Sequence, residues 1–282
     1  MVNHWLGMGM VLAIFGVLIG SLRAYRRSRS ADPELVRKLL HLGMGLLTIS
    51  FPWLFASAWP VLLLAALFAL GLTALRISPP LRRLLGDVID GVNRKSLGEI
   101  TFPFAVGLLY LFSAGDPLTF CIPMLILSLA DAAAALVGGR YGTLRVPGPR
   151  GEKSLEGSLA FLAVAFVSTH VPLLLFTDSG RAESLLIAVT LALQATLLEA
   201  SAWGGLNNLL VPLGAFALLK SFLELDVTSL ILRLGLAVLL VALFLIVHPP
   251  LRVLNPEEPD TRGAIPGRII RGIREGLRHG LL

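Results

Sequence analysis

The sequence predicts an all-α fold, a polytopic transmembrane helix bundle of about nine spans. Three observations lead there. The 282 residues are 55% hydrophobic and only 15% charged, with a mean hydropathy of +0.81. That is more apolar surface than one soluble core can bury, so the bilayer is the expected solvent. Apolar windows near the roughly 20 residues a spanning helix needs recur along the chain. Basic residues gather after alternate windows, as they do in the cytoplasmic loops of membrane proteins.

Taken in order, the windows lie at 4–24, 37–55, 58–76, 99–114, 117–138, 154–176, 183–202, 206–222 and 229–248. The first is followed by Arg23, Arg26, Arg27 and Arg29, whereas a signal peptide carries its positive charge in front, so it is expected as a retained span. The fourth and eighth windows are short. Six basic residues follow the first window, five the third, four the fifth and six the ninth, placing 21 of the 24 on one side. The positive-inside rule makes that side cytoplasmic, with the N-terminus outside and the C-terminus inside. Two basic stretches, 77–98 and the tail, carry apolar residues at helical spacing and are expected as amphipathic helices lying at the membrane interface. Residues 1–250 then form a single transmembrane domain and 251–282 a basic cytoplasmic tail.

The net charge of +6 does not point to nucleic acid, because the cations flank apolar spans and interleave with no aromatic patch. They suit topology and contact with anionic membrane lipids. Cys121 is the sole cysteine, so neither a disulfide framework nor a thiolate metal site exists. Nothing in the sequence sets an oligomeric state.

Ionisable residues inside spans are expensive, so their placement carries functional information. His41 lies one turn into the second span, and Glu99 opens the fourth. Asp131 lies about 10 Å before the end of the fifth. Lys153 and Glu156 open the sixth, Glu199 closes the seventh, and Asn207 with Asn208 opens the eighth. On the predicted orientation all of them sit toward the cytoplasm, and the outer half is nearly all apolar. A channel or transporter needs polar groups at the midplane or along a continuous path; here the path stops halfway. The placement suits an enzyme that takes a lipid-soluble substrate from the inner leaflet and a charged one from the cytoplasm.

The densest stretch runs from Asp131 to Gly157. Asp131 and Gly138 share a helix face, and the alanines at 132–135 admit a close neighbour. A carboxylate there can hold a divalent metal, accept a proton, or pair with a buried Arg, Lys or Asn. The loop brings Arg140, Arg145, Arg150 and Lys153 beside Gly138, Gly139, Gly142, Gly148 and Gly151. Backbone N–H groups at glycines approach phosphates closely, and the cations neutralise them, so the segment suits a triphosphate. Ser154 is a candidate N-cap for the sixth helix. Equally, cytoplasmic loops are basic anyway, and Glu156 in a first turn complements the helix dipole. No Walker loop or kinase glycine signature is present. His41 has no helical His or Glu partner for zinc and is as well read as a structural hydrogen-bonder.

The segments RKLLHLGMG (37–45), GEITFPFAVGLLYLF (98–112), LADAAAALVGGRYG (129–142), GEKSLEGSLA (151–160) and LLEASAWGGLNNLLVPL (197–213) together resemble the phytol kinase and dolichol kinase family of CTP-dependent polyprenol kinases. The likeness covers roughly 35–215, in the family's order. The stretch from Asp131 to Gly157 also looks like that of phosphatidate cytidylyltransferases, but their C-terminal signature is missing, and Glu199 to Asn208 matches the kinases better. The resemblance implies transfer of the γ-phosphoryl of CTP, with Mg²⁺, to a lipid alcohol such as phytol, a polyprenol or diacylglycerol. It implies Asp131 and Glu156 for the metal or nucleotide, and Lys153 and Arg140, with Gly138, Gly142 and Gly157, for the phosphates. Glu99, Glu199 and Asn208 form the site's other wall, and His41 faces the alcohol. The plasma membrane of a prokaryote is the expected location. The chain departs from the family pattern at Asn207, where Asp is usual. If that Asp holds a metal, an Asn weakens the site; if it only hydrogen-bonds, little changes.

Overall fold

The computed structural model describes residues 3–29, 33–78, 98–148, 151–202, 205–249 and 251–252. The chain divides into two units, Met1–Leu251 and Arg252–Leu282. Of the second only Arg252 is described, so the description is of the first. Residues 79–97 of the interfacial helix expected at 77–98, and the tail beyond Arg252, lie outside the described residues.

The fold is almost entirely helical. In chain order its elements are α1 (His4–Arg29), α2 (Pro33–Ile49), the single turn α3 (Phe51–Leu54), α4 (Ala58–Ile77), α5 (Gly98–Phe112) and α6 (Pro117–Leu125). A π-helical turn, Ile126–Ala130, runs on from α6 into α7 (Asp131–Tyr141). The hairpin β1 (Leu144–Gly148) and β2 (Gly151–Ser154) comes next. After it stand α8 (Leu155–Phe176), α9 (Arg181–Ser201), α10 (Asn207–Phe222), α11 (Val227–Val247) and the two-residue β3 (Leu251–Arg252).

Every apolar window of the sequence coincides with helix. Six helices are long and apolar enough to cross a membrane, namely His4–Ser28, Ala58–Ile77, Pro117–Tyr141, Leu155–Phe176, Arg181–Ser201 and Val227–Val247. They make the chain a multi-pass membrane protein. The remaining windows are shorter than the roughly 20 residues a crossing needs: α2 has 17 residues, α5 has 15 and α10 has 16. The second window breaks at Ser50, which precedes the separate turn α3, with Pro52 its second residue. Apolar side chains point outward along the bundle, Leu232 and Val247 among them, as lipid-facing residues do.

Local chemistry sets the helix starts. Asp116 caps α6, its carboxylate accepting from the Thr119 amide at 2.9 Å, with Pro117 at the first helical position. Ser154 caps α8 by accepting from the Gly157 amide at 3.1 Å. Asp226 caps α11 through the Thr228 amide at 3.2 Å. The turn between α5 and α6 places Gly115 at φ 77, a left-handed conformation that glycine adopts without strain.

Two apolar cores meet along α6. One gathers Phe55, Leu64, Leu109, Phe120 and Met124. The other gathers Ile126, Phe161, Leu173, Leu191 and Leu219 from α8, α9, α10 and the π turn. Close packing between α7 and α8 rests on glycine: a Cβ on Gly157 would stand 2.8 Å from the Ala134 carbonyl oxygen, and one on Gly138 would overlap Ser154 Oγ. The hairpin is the fold's departure from the all-α expectation. The glycine- and arginine-rich loop pairs antiparallel, with Arg145 opposite Ser154 and Val146 opposite Lys153.

Candidate functional site

Polar side chains from six elements meet at one end of the bundle. The π turn immediately precedes Asp131. An extra residue in a helical turn re-aims the side chains after it, and such turns recur at functional sites. Asp131 Oδ2 accepts from Lys38 Nζ of α2 at 2.7 Å, and its Oδ1 accepts from Asn207 Nδ2 of α10 at 3.4 Å. Asn207 acts here as a donor, which an Asp in its place cannot do while ionised. Lys153, on β2, reaches the end of α9, donating to Glu199 Oε1 at 2.5 Å and to the Glu199 backbone oxygen. Asn208 donates to the Gly98 carbonyl at 2.8 Å and Thr101 to the Gly205 carbonyl at 2.9 Å, tying the starts of α5 and α10 together.

Beside these contacts lies a polar pocket. One wall is a stripe of α7, Asp131, Ala134, Ala135 and Gly138, spaced along one helix face. The start of α8 supplies Ser154, Gly157 and Ser158, and Lys38, Arg145, Lys153 and Glu199 complete the lining with Gly139. Three cations thus face two carboxylates at a helix N-terminus whose first amides lack intrahelical partners. That is the composition of an anion site.

A second, apolar cavity lies on another side of α2. It runs among α1, α2, α4 and α5, lined by residues such as Phe15, Met44, Leu64 and Phe68, and its polar groups are Arg37, His41, Glu99, Thr48 and Asn208. His41 packs edge-on to Phe102, ring centroids 4.9 Å apart. Its Nε2 is buried with no hydrogen-bond partner among the described residues. Lys38 in one pocket and His41 in the other are one turn apart on α2, so the first turns of this helix form the partition between a charged chamber and an apolar one. A third cavity lies among α8, α9 and α11 and meets the polar pocket at Lys153 and Ser158.

The structure therefore brings Asp131, Lys153, Gly138, Gly157 and Glu199 together, and sets His41, Glu99 and Asn208 around the neighbouring cavity. Three expected residues stand elsewhere. Glu156 Oε1 accepts from the Thr143 amide at 2.8 Å, the Thr143 hydroxyl at 2.5 Å and the Leu144 amide at 3.1 Å, which fixes the start of the hairpin. Arg140 lies over the ring of Tyr141 at 5.5 Å and does not line the polar pocket. Gly142 does not line it either; a Cβ there would overlap the Gly138 carbonyl oxygen, so its role is close packing. Lys38 is a lining residue that sequence reasoning passed over, and Arg145, expected among the phosphate-neutralising cations of the loop, lines the pocket as well. The signal for Lys38 was its place one turn before His41 in a span.

Among the described residues no group of three or more His, Cys, Asp or Glu side chains forms a metal centre. A magnesium ion is commonly held by one or two carboxylates together with phosphate oxygens. Asp131 and Glu199, both on the polar pocket, fit that mode; Glu156, committed to the hairpin, does not.

Among known proteins, the phytol kinase of Synechocystis sp. is 31% identical to the chain over 213 residues, an alignment covering 75% of this chain and 89% of that protein. No family profile matches the chain. No solved structure matches it either.

Proposed function

The chain belongs to the phytol kinase family of polyprenol kinases, and from that membership we propose that it is a lipid-alcohol kinase transferring the γ-phosphoryl group of CTP to a hydroxyl at the polar end of the bundle. The observation that carries the reading is the partition at α2. A cationic pocket and an apolar cavity open on neighbouring faces of its first turns, at Lys38 and His41. One chamber suits a polyphosphate and the other an isoprenoid tail, and a hydroxyl held at their border lies beside the phosphates.

In this reading Lys38, Arg145 and Lys153, with the first amides of α8, neutralise the triphosphate. Phosphoryl transfer is chiefly positioning and charge stabilisation, which such a set supplies. Asp131 and Glu199, both lining the polar pocket, would hold a magnesium ion, which would supply neutralisation of phosphate charge. His41 Nε2 faces the acceptor hydroxyl and takes its proton as the alcohol oxygen bonds to the γ-phosphorus. The bond to the bridging oxygen breaks, its electron pair leaving with CDP. Lys153 and Lys38 must exchange carboxylate partners for phosphate oxygens when nucleotide enters. The polar end faces the cytoplasm, as the basic residues around it suggest, and the membrane is the plasma membrane of a prokaryote.

The test is purified protein in lipid nanodiscs with γ-labelled CTP or ATP and a panel of phytol, farnesol, a long polyprenol and diacylglycerol. Label on a lipid alcohol, with CTP preferred, is expected. No label on any alcohol overturns the reading, and pyrophosphate release with cytidylyl transfer to phosphatidate replaces it with a cytidylyltransferase.

A further inference from the structure

The apolar cavity has a polar end and a closed end, and the distance between them is readable on two helices. Along α2 its lining runs from Arg37 to Thr48, eleven residues, and along α4 from Leu72 to Val61, again eleven. At 1.5 Å per residue both give a depth of about 16 Å. The polar end holds Arg37, His41, Glu99 and Asn208. The far end is closed by Val11, Phe51 and Val61, which are 1%, 3% and 0% exposed, so it does not continue to the bundle surface there. Phe51 is the largest of the three. It sits at the break between α2 and α3, where Pro52 turns the chain, and its ring is packed edge-on against Phe55 at 5.4 Å between centroids. Its position is therefore fixed.

We propose that Phe51, closing the far end of this cavity with Val11 and Val61, sets the longest prenyl tail that the chain accepts. The proposal rests on the reading of the chain as a lipid-alcohol kinase for its kinetic arm, but not for its binding arm. An extended isoprene unit advances about 5 Å, four chain bonds at roughly 1.3 Å each. Three units match the depth and a fourth fits when the tail bends. Eleven units, at about 55 Å by the same spacing, exceed the cavity more than threefold. The walls on either side are drawn in by aromatic pairs, Phe15 with Phe68 at 4.6 Å and His41 with Phe102 at 4.9 Å. A single prenyl tail suits this space, and the paired chains of diacylglycerol do not.

The binding arm uses a three-isoprene alcohol carrying a photoreactive diazirine at its tail end, with the wild-type protein in nanodiscs and the crosslinked residue mapped by mass spectrometry. Crosslinks at Phe51, Val61 or Val11 are expected. Crosslinks at Leu159, Leu197 or Val241, in the third cavity, overturn the proposal, as does an absence of saturable crosslinking. This result is independent of whether phosphoryl transfer occurs. The kinetic arm compares three-, four-, five- and eleven-isoprene alcohols. The wild type is expected to lose at least about tenfold in kcat/KM between four and five units. Phe51→Ala should recover most of that loss, with Phe51→Leu intermediate and Val61→Phe moving the limit to shorter tails. Equal use of four- and eleven-isoprene alcohols by the wild type overturns the proposal, and so does a Phe51→Leu variant that changes all lengths alike. Failure to phosphorylate any alcohol, beside crosslinks at Phe51, would sink the kinase reading and leave the cavity assignment standing.

Discussion

Lys38 and Asp131, 93 residues apart in sequence, form a 2.7 Å ion pair that joins α2 to the start of α7 at the border of the two cavities. Both side chains are largely buried, 16% and 12% exposed. Removing one partner of such a pair leaves an uncompensated charge, with a penalty of about 3–5 kcal/mol. Asp131→Ala is expected to lower thermal stability accordingly. Asp131→Asn keeps the shape and a hydrogen-bond acceptor, so it should remain folded yet lose at least about a hundredfold in kcat, because charge organisation around the phosphates is lost. Melting curves together with single-turnover transfer separate the two effects. An Asp131→Asn variant of wild-type rate contradicts the role given to this carboxylate.

Arg140 and Arg145 distinguish the sequence reading from the structural one. Arg145 lines the polar pocket beside Lys153, whereas Arg140 stacks on Tyr141 outside it. Arg145→Ala should raise KM for nucleotide about tenfold, the loss of one charge-assisted contact, and Arg140→Ala should change it by less than about twofold. Steady-state kinetics over nucleotide concentration makes the comparison. A reversed order would mean that the hairpin does not contribute to nucleotide binding in this way.

The crossing of α7 and α8 predicts unequal responses to adding one methyl group. Gly157→Ala drives Cβ to within 2.8 Å of the Ala134 carbonyl, so it should destabilise by about 1–3 kcal/mol. Gly139→Ala meets nothing within 4 Å among the described residues and should be neutral or stabilising by up to about 1 kcal/mol. Thermal unfolding in one detergent reads both. Equal destabilisation would mean that the two helices are not in this close contact.

The basic residues give orientation a direct test. In a Cys121→Ala background, a cysteine at Asp178, in the exposed turn between α8 and α9, should react with a membrane-impermeant maleimide on intact cells. One at the exposed Tyr141 should react only after permeabilisation. The opposite pattern inverts the topology.

The helices were legible because runs of about 20 apolar residues have few alternatives in a chain of this composition. So was the need of Asp131, Lys153 and Glu199 for polar partners, since ionisable groups near spans are costly when unpaired. The partners themselves were not legible: Lys153 meets Glu199 46 residues away, and no local periodicity encodes such a distance. Lys38 was hidden for a different reason, as cations at the cytoplasmic end of a span look like topology signals. Glu156 and Thr143 form a hairpin-fixing contact across 13 residues, and a glycine- and arginine-rich loop gives little alternation from which to read strands. The apolar cavity left no trace at all, because residues lining a tail site are the same types that face lipid or fill a core.

The decisive measurement is transfer of label from γ-labelled CTP to an isoprenoid alcohol by wild-type protein and by Lys153→Ala side by side. A labelled lipid monophosphate with stoichiometric CDP is expected, with at least about tenfold lower kcat/KM for the variant, which loses a phosphate-contacting cation. Unlabelled lipid with CTP intact, or Lys153→Ala at full activity, would contradict this expectation.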